Sequence, residues 1–127
     1  MRVLLDTHAF LWFVGGDRRL GVNARRALER PDAEPLLSLA SVWELALKLS
    51  LKRLTLPEPL DQYLASKLKT NLCLLPLELS HIVAVERLPF HHQDPFDRAL
   101  IAQALAERLP IATRDRTFRK YGVEVLW

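Results

Sequence analysis

Short apolar runs recur along the chain, separated by longer stretches in which apolar residues return at helical spacing. The runs at 2–5, 35–39, 73–76, 110–113 and 123–126 read as strands. The intervening stretches at 7–14, 20–30, 41–51, 60–70, 80–87, 94–108 and 115–120 read as helices. Gly15-Gly16, Pro31, Pro57-Glu58-Pro59 and Pro110 break the pattern between them. Strands that are almost wholly apolar and alternate with helices belong to a parallel sheet covered on both faces, so the expected architecture is a doubly wound, three-layer α/β/α domain. No repeat, low-complexity tract or linker divides the 127 residues, which predicts one domain over 1–127.

The helix at 94–108 has the clearest start. Pro95 suits the first helical position, Asp94 the N-cap, and Asp97 the third position, in the manner of a capping box. Capping accounts fully for Asp94. Asp97 stands at the entrance of a small-residue helix, where its carboxylate can equally face a cleft. Three further acids occupy comparable places. Asp6 follows the first strand, Glu44 falls in the first turn of the helix after the second, and Asp115 follows the fourth. Each has a capping alternative: Asp6 at the helix from Thr7, Glu44 in a box with Ser41, Asp115 at the last short helix. Caps explain any one of them, but Ser, Thr and Asn would serve as well, and all four are acids.

In an open parallel sheet, ligands bind beyond the carboxyl ends of the strands, where strand order reverses. Carboxylates gathered there need a counter-charge, because two of them 4 Å apart repel by ~4 kcal/mol at an effective dielectric of 20. An all-oxygen set of Asp and Glu suits Mg²⁺ or Mn²⁺. Such an ion serves phosphodiester hydrolysis by polarising a phosphoryl oxygen and activating water.

Composition adjusts this picture only slightly. Half of the residues are hydrophobic and 26% are charged, as in soluble globular proteins. No apolar run reaches the ~18 residues of a membrane span, and the short Val3-Leu4-Leu5 run is no signal segment, so the chain reads as cytosolic, with no membrane partner. Cys73 is the one cysteine, which removes any disulfide framework and predicts a buried structural thiol. The net charge of +3 is mild, but 13 of the 18 basic residues are Arg, the side chain suited to bidentate phosphate contact. With four of the 15 acids sequestered around a metal, 18 basic residues face 11 acidic ones, a better surface for a polyanion.

Four blocks carry a family likeness. Leu4-Leu5-Asp6-Thr7-His8, Ser41-Val42-Trp43-Glu44-Leu45, Asp94-Pro95-Phe96-Asp97-Arg98 with Ile101-Ala102-Gln103-Ala104, and Thr113-Arg114-Asp115 resemble, in order, the signature blocks of the PIN domain, and within it the VapC-type toxins of toxin–antitoxin pairs. Each block alone is weak; the ordered set spans residues 2–126. The resemblance implies a five-stranded parallel sheet, an acidic Mg²⁺ or Mn²⁺ site, endoribonuclease activity on RNA, homodimers, and inhibition by a small antitoxin protein. Position by position it implies that Asp6, Glu44, Asp97 and Asp115 form the acidic quartet. Asp6 and Asp97 are the firmest metal contacts it implies, Glu44 reaches the ion directly or through water, and Asp115 holds the place that varies most within the family.

Other residues near these blocks have plainer readings. His8 packs or hydrogen-bonds in preference to touching RNA or a metal-bound water, His91 and His92 are loop residues in preference to ligands, and Trp12 and Trp43 pack in the core or against a partner in preference to stacking on bases. Thr113 is a candidate to hydrogen-bond a site carboxylate. Arg98, Arg114 and Arg116 flank the acids and either hold phosphate or pair with them. The leucine-rich helices at 45–51 and 60–72 offer an interface. A receiver-type phospho-acceptor domain is the alternative of similar length, but it needs adjacent acids after the first strand and a Lys after the last. Here Asp6 is followed by Thr7, and 125–127 reads Val-Leu-Trp. A PIN-like binding module without catalysis is the third reading.

Overall fold

The computed structural model describes residues 1–68 and 71–127. Five strands form one parallel sheet: β1 (Arg2–Leu5), β2 (Glu34–Ser38), β3 (Cys73–Leu75), β4 (Ile111–Ala112) and β5 (Val125–Leu126). Their order across the sheet is β3-β2-β1-β4-β5. The chain therefore steps outward from β1 through β2 to β3, then returns to the other side of β1 at β4. That reversal opens a crevice beyond the carboxyl ends of β1 and β4.

The apolar runs fill both faces of the sheet. Side chains alternate across a strand, so Leu4, Leu36 and Ile111 enter one core with Leu100, Ile101 and Phe118. Val3, Leu5, Leu37 and Ala112 enter the opposite core with Phe10, Leu45 and Tyr63. Register aligns them, Leu4 lying beside Leu36 on one side and Ile111 on the other. The helices α1 (Thr7–Val14), α2 (Val22–Leu28), α3 (Leu39–Ser50), α4 (Leu60–Lys67), α5 (Leu79–Val85) and α6 (Pro95–Glu107) complete the layers, with a 3-10 helix at Arg116–Tyr121. The expected three-layer α/β/α architecture and five parallel strands are present. The last two residues of the helix expected over 60–70 lie outside the described residues.

Several starts differ from expectation. Helix α3 is capped by Ser38, whose hydroxyl accepts from Ala40 N–H at 3.0 Å, not by Ser41. Ser38 ends a buried strand, and turning there satisfies an otherwise unpaired amide inside the core. Ser41 is thus buried within the helix, and Glu44 falls in the second turn, beyond any capping role. Helix α5 begins at Leu79 after Glu78, not at Ser80; the imidazole Nδ1 of His81 accepts from Glu78 N–H at 3.0 Å. Cys73 is exposed, against the expectation of a buried thiol. It lies on β3, the edge strand, where the sheet has no further neighbour to cover it.

Helix α6 begins as expected, with Pro95 in its first turn and the Asp94 carboxylate accepting from Phe96 and Asp97 amides at 2.8 and 3.2 Å. Gln103, fully buried, fastens α6 to the sheet: its Oε1 accepts from the Ser38 hydroxyl, and its Nε2 donates to the Pro76 carbonyl at 3.1 Å. Among the described residues no helix is long and apolar enough to cross a membrane.

Candidate active site

Asp6 sits at the end of β1, beside β4, so it is placed at the sheet's reversal point by the strand order itself. Its backbone N–H continues the ladder to Ala112 O at 3.1 Å. Its carboxylate caps α1, accepting from Ala9 N–H at 2.7 Å, and also accepts from the Thr113 hydroxyl. Capping and orientation toward the crevice are therefore properties of the same side chain. Burial pushes the Asp6 carboxyl above its ordinary range; Thr113, Ala9 and His8 pull it down, and Glu44 repels it further upward. Thr113, a candidate partner for a site carboxylate, acts on Asp6 in this way.

Glu44 reaches the same place from α3. It is 5% exposed, a severe environment for a carboxylate, and both of its oxygens are engaged. Oε1 accepts from Thr7 Oγ1 at 2.5 Å and Oε2 pairs with Lys48 Nζ at 2.5 Å. Thr7 stood out only as a member of the first block and Lys48 not at all, although Lys48 is four residues on from Glu44, a spacing that brings side chains together on a helix.

Asp97 enters from the first turn of α6. Its carboxyl is pushed up from 3.8 to about 7, first by burial, then by the charge of Asp94, with Glu44 and Asp6 adding repulsion and His92 opposing it. Three carboxylates from three separate elements thus act on one another electrostatically: Asp6 after β1, Glu44 in α3, Asp97 in α6.

Asp115 is held differently. It caps the 3-10 helix through Thr117 N–H at 2.9 Å, and its Oδ2 lies 2.7 Å from His92 Nε2. Burial raises its carboxyl, but the hydrogen bonds from His92 and Thr117 outweigh that and hold it below the usual range. An ionised carboxylate only accepts, so Nε2 of His92 carries the proton. Nδ1 lies 3.0 Å from the Tyr121 hydroxyl, whose oxygen accepts from His91 N–H at 3.0 Å. His92, read from sequence as a loop residue, joins Asp115 to the neighbourhood of Asp97. No local pattern could have shown this, because the contact spans 23 residues.

Arg98 has neither of its expected roles. It is 5% exposed, and its guanidinium donates to the carbonyls of Val85, Leu88, Pro89 and His92. It fastens the segment carrying His92 to α6 and leaves no donor set facing a phosphate. His8 is exposed and stacks on Trp12 at 5.6 Å, as the packing reading held. Trp43 is 61% exposed and meets Phe96 edge-on at 5.0 Å.

A family model described as PIN domain matches residues 3–124. The chain belongs to the PIN domain family. The receiver-type alternative falls with that membership. Ribonuclease VapC22 of Mycobacterium tuberculosis (strain ATCC 25618 / H37Rv) is 29% identical over 120 residues, covering 94% of this chain and 91% of that protein. VapBC2 from Rickettsia felis, in a crystal structure bound to a DNA fragment from its promoter, has a TM-score of 0.72 at 13% identity and covers 98% of this chain and 97% of that one. A toxin–antitoxin complex from Klebsiella pneumoniae has a TM-score of 0.60 at 19% identity, covering 89% and 86%. At these identities the two structures share the fold of this PIN domain.

The donors in this PIN domain's crevice are carboxylate oxygens, which fit a hard divalent cation. Their mutual repulsion, concentrated on Asp97, is the kind a cation relieves. Among the described residues no three or more His, Cys, Asp or Glu side chains form a ready-made cage. Glu44 is drawn instead to Thr7 and Lys48, and Asp115 to His92.

Proposed function

We propose that this PIN domain is a metal-dependent endoribonuclease, the toxin of a toxin–antitoxin pair, cleaving RNA phosphodiester bonds at Asp6, Glu44, Asp97 and Asp115. The observation that carries the reading is the gathering of Asp6 after β1, Glu44 in α3 and Asp97 in α6 near the sheet's reversal point, where burial and the charges of Asp94, Glu44 and Asp6 push the Asp97 carboxyl upward. A buried carboxyl surrounded by carboxylates is an unstable charge arrangement on its own and a suitable one around Mg²⁺ or Mn²⁺. The similarity to a protein named ribonuclease VapC22 supports RNA as the substrate. The shared fold with VapBC2 and with a toxin–antitoxin complex supports an antitoxin partner. A cytoplasmic homodimer is the state we assign to it.

Asp6 and Asp97 would hold the cation most directly, with Glu44 and Asp115 at its periphery. A divalent ion held there supplies Lewis-acid stabilisation of charge on the phosphoryl oxygens. Asp6 is fixed for this by the Ala9 amide and the Thr113 hydroxyl. Asp97, whose carboxyl is raised in the metal-free chain by burial and by Asp94, Glu44 and Asp6, would gain most from the positive charge of a cation held there. Lys48 and Thr7 hold Glu44 in place, and His92 does the same for Asp115.

The test is cleavage of total RNA by the purified protein with Mg²⁺ or Mn²⁺, with chelator, and by Asp97→Asn. Cleavage by the metal-supplied wild type alone, at least 100-fold above either control, is the expected result. Undiminished cleavage in chelator would remove the metal from the account, and undiminished cleavage by Asp97→Asn would remove that residue.

A further inference from the structure

A separate concavity lies at the same end of the sheet as Asp6. It is a cleft of about 430 Å³ at the carboxyl ends of β4 and β5, lined by Asn23, Arg114, Arg116, Arg119 and Trp127. Three exposed guanidiniums converge on it, and no acidic side chain lines it. Among the described residues none of the three makes an ion pair, whereas Arg19, Arg25 and Arg30 each have a carboxylate partner. Like charges gathered on one wall repel, and an anion seated between them would relieve that repulsion.

The opposite rim is aromatic and fixed in place. Trp127 presses on Gly21 so closely that a Cβ there would lie 2.5 Å from the Trp127 carbonyl carbon and 2.7 Å from its ring. The Trp127 ring packs on Trp12 at 5.8 Å, and Trp12 on His8 at 5.6 Å. His8 lies close enough to Asp6 for its charge to act on that carboxylate. A run of rings therefore leads from the arginine cleft to the acids. The cleft lies at β4 and β5, and Asp6 at the end of β1 beside β4, an offset of roughly 10 Å at ordinary strand spacing.

We propose that this cleft grips the RNA strand on one side of the scissile bond, Arg114, Arg116 and Arg119 holding its phosphates and the rings at the two ends of the run, Trp127 and His8, offering faces to its bases, while Trp12 between them is covered by the Arg19 guanidinium at 5.1 Å. The proposal rests on the nuclease reading and adds the path of the substrate to it. Arginine forks match phosphate oxygens, and bases stack on rings whatever their sequence. An acidic protein segment would satisfy the arginines but would make no use of a ring path that ends at the acids.

Binding of a labelled single-stranded RNA is to be followed by fluorescence anisotropy in chelator, so that affinity is read without turnover. For the Arg116→Ala/Arg119→Ala double variant, affinity at 0.1 M salt falls at least ten-fold. The slope of log K against log salt flattens by about 1.4, since each phosphate contact on a single strand contributes ~0.7. Arg30→Ala, at the opposite end of the sheet, binds as wild type. The cleft proposal is overturned if the double variant keeps wild-type affinity and slope, or if Arg30→Ala loses as much. It is also overturned if the double variant loses only a labelled poly-glutamate peptide. Wild type that cleaves RNA while the double variant binds it normally leaves the nuclease reading standing without the cleft. Wild type that neither binds nor cleaves RNA removes both.

Discussion

Asp97 is the residue at which opposing forces are best balanced. Its carboxyl is raised from 3.8 to about 7, so between those values the folded chain binds a proton that the unfolded chain has released. Stability of the metal-free protein therefore falls as pH rises from about 4 to 7 and stays reduced above that. A shift of that size corresponds to ~4 kcal/mol at most, less for a side chain that is part-exposed to screening solvent. Asp6, raised in the same direction, adds to the trend. Thermal melts in chelator should show Tm dropping between pH 5 and 8, and Asp97→Asn should flatten that drop. A wild-type Tm that rises over this range would contradict the charge arrangement. The ordered positions of Asp6, Glu44, Asp97 and Asp115 were legible in the sequence, and Thr113 was a candidate partner without a named carboxylate. The partners that hold Glu44 and Asp115 were not, because Thr7 and His92 reach them across 37 and 23 residues.

At the scale of elements, the helix starts decide what each acid is free to do. The capping reading of Glu44 depended on α3 beginning at Ser41. The chain turns at Ser38 instead, because the strand ends inside the core and its amide needs an acceptor there. Sequence pattern alone did not separate the two serines, since either precedes an apolar helix. Arg98 shows the converse error. Its place beside Asp97 suggested an electrostatic role, yet it is buried and donates to the carbonyl of Val85 at the end of α5 and to three carbonyls of the segment between α5 and α6. Removing it would leave those carbonyls unpaired and free the segment that carries His92. Arg98→Ala should lose ~3 kcal/mol or more of stability. Arg98→Lys should recover little of it, as an ammonium cannot repeat the planar fork. Chemical denaturation of the three proteins checks this, and near-wild-type stability of Arg98→Ala would show that water replaces the guanidinium without cost.

For the whole molecule, the strand order does most of the work. The β3-β2-β1-β4-β5 arrangement puts Asp6 and Thr113 side by side and brings α3 and α6 over the same edge. The apolar strands and their alternation with helices made the parallel sheet legible. Which strands adjoin depends on contacts distant in sequence, so the order β3-β2-β1-β4-β5 was not legible in the pattern of runs. The account as a whole depends on carboxylates that are costly together until a hard cation joins them. Calorimetric titration of Mn²⁺ into the protein at pH 7, in two buffers of different ionisation enthalpy, tests this directly. The account predicts one binding event that releases a fraction of a proton in the wild type, with both the affinity and the proton release reduced in Asp97→Asn. Identical isotherms for the two proteins would contradict it.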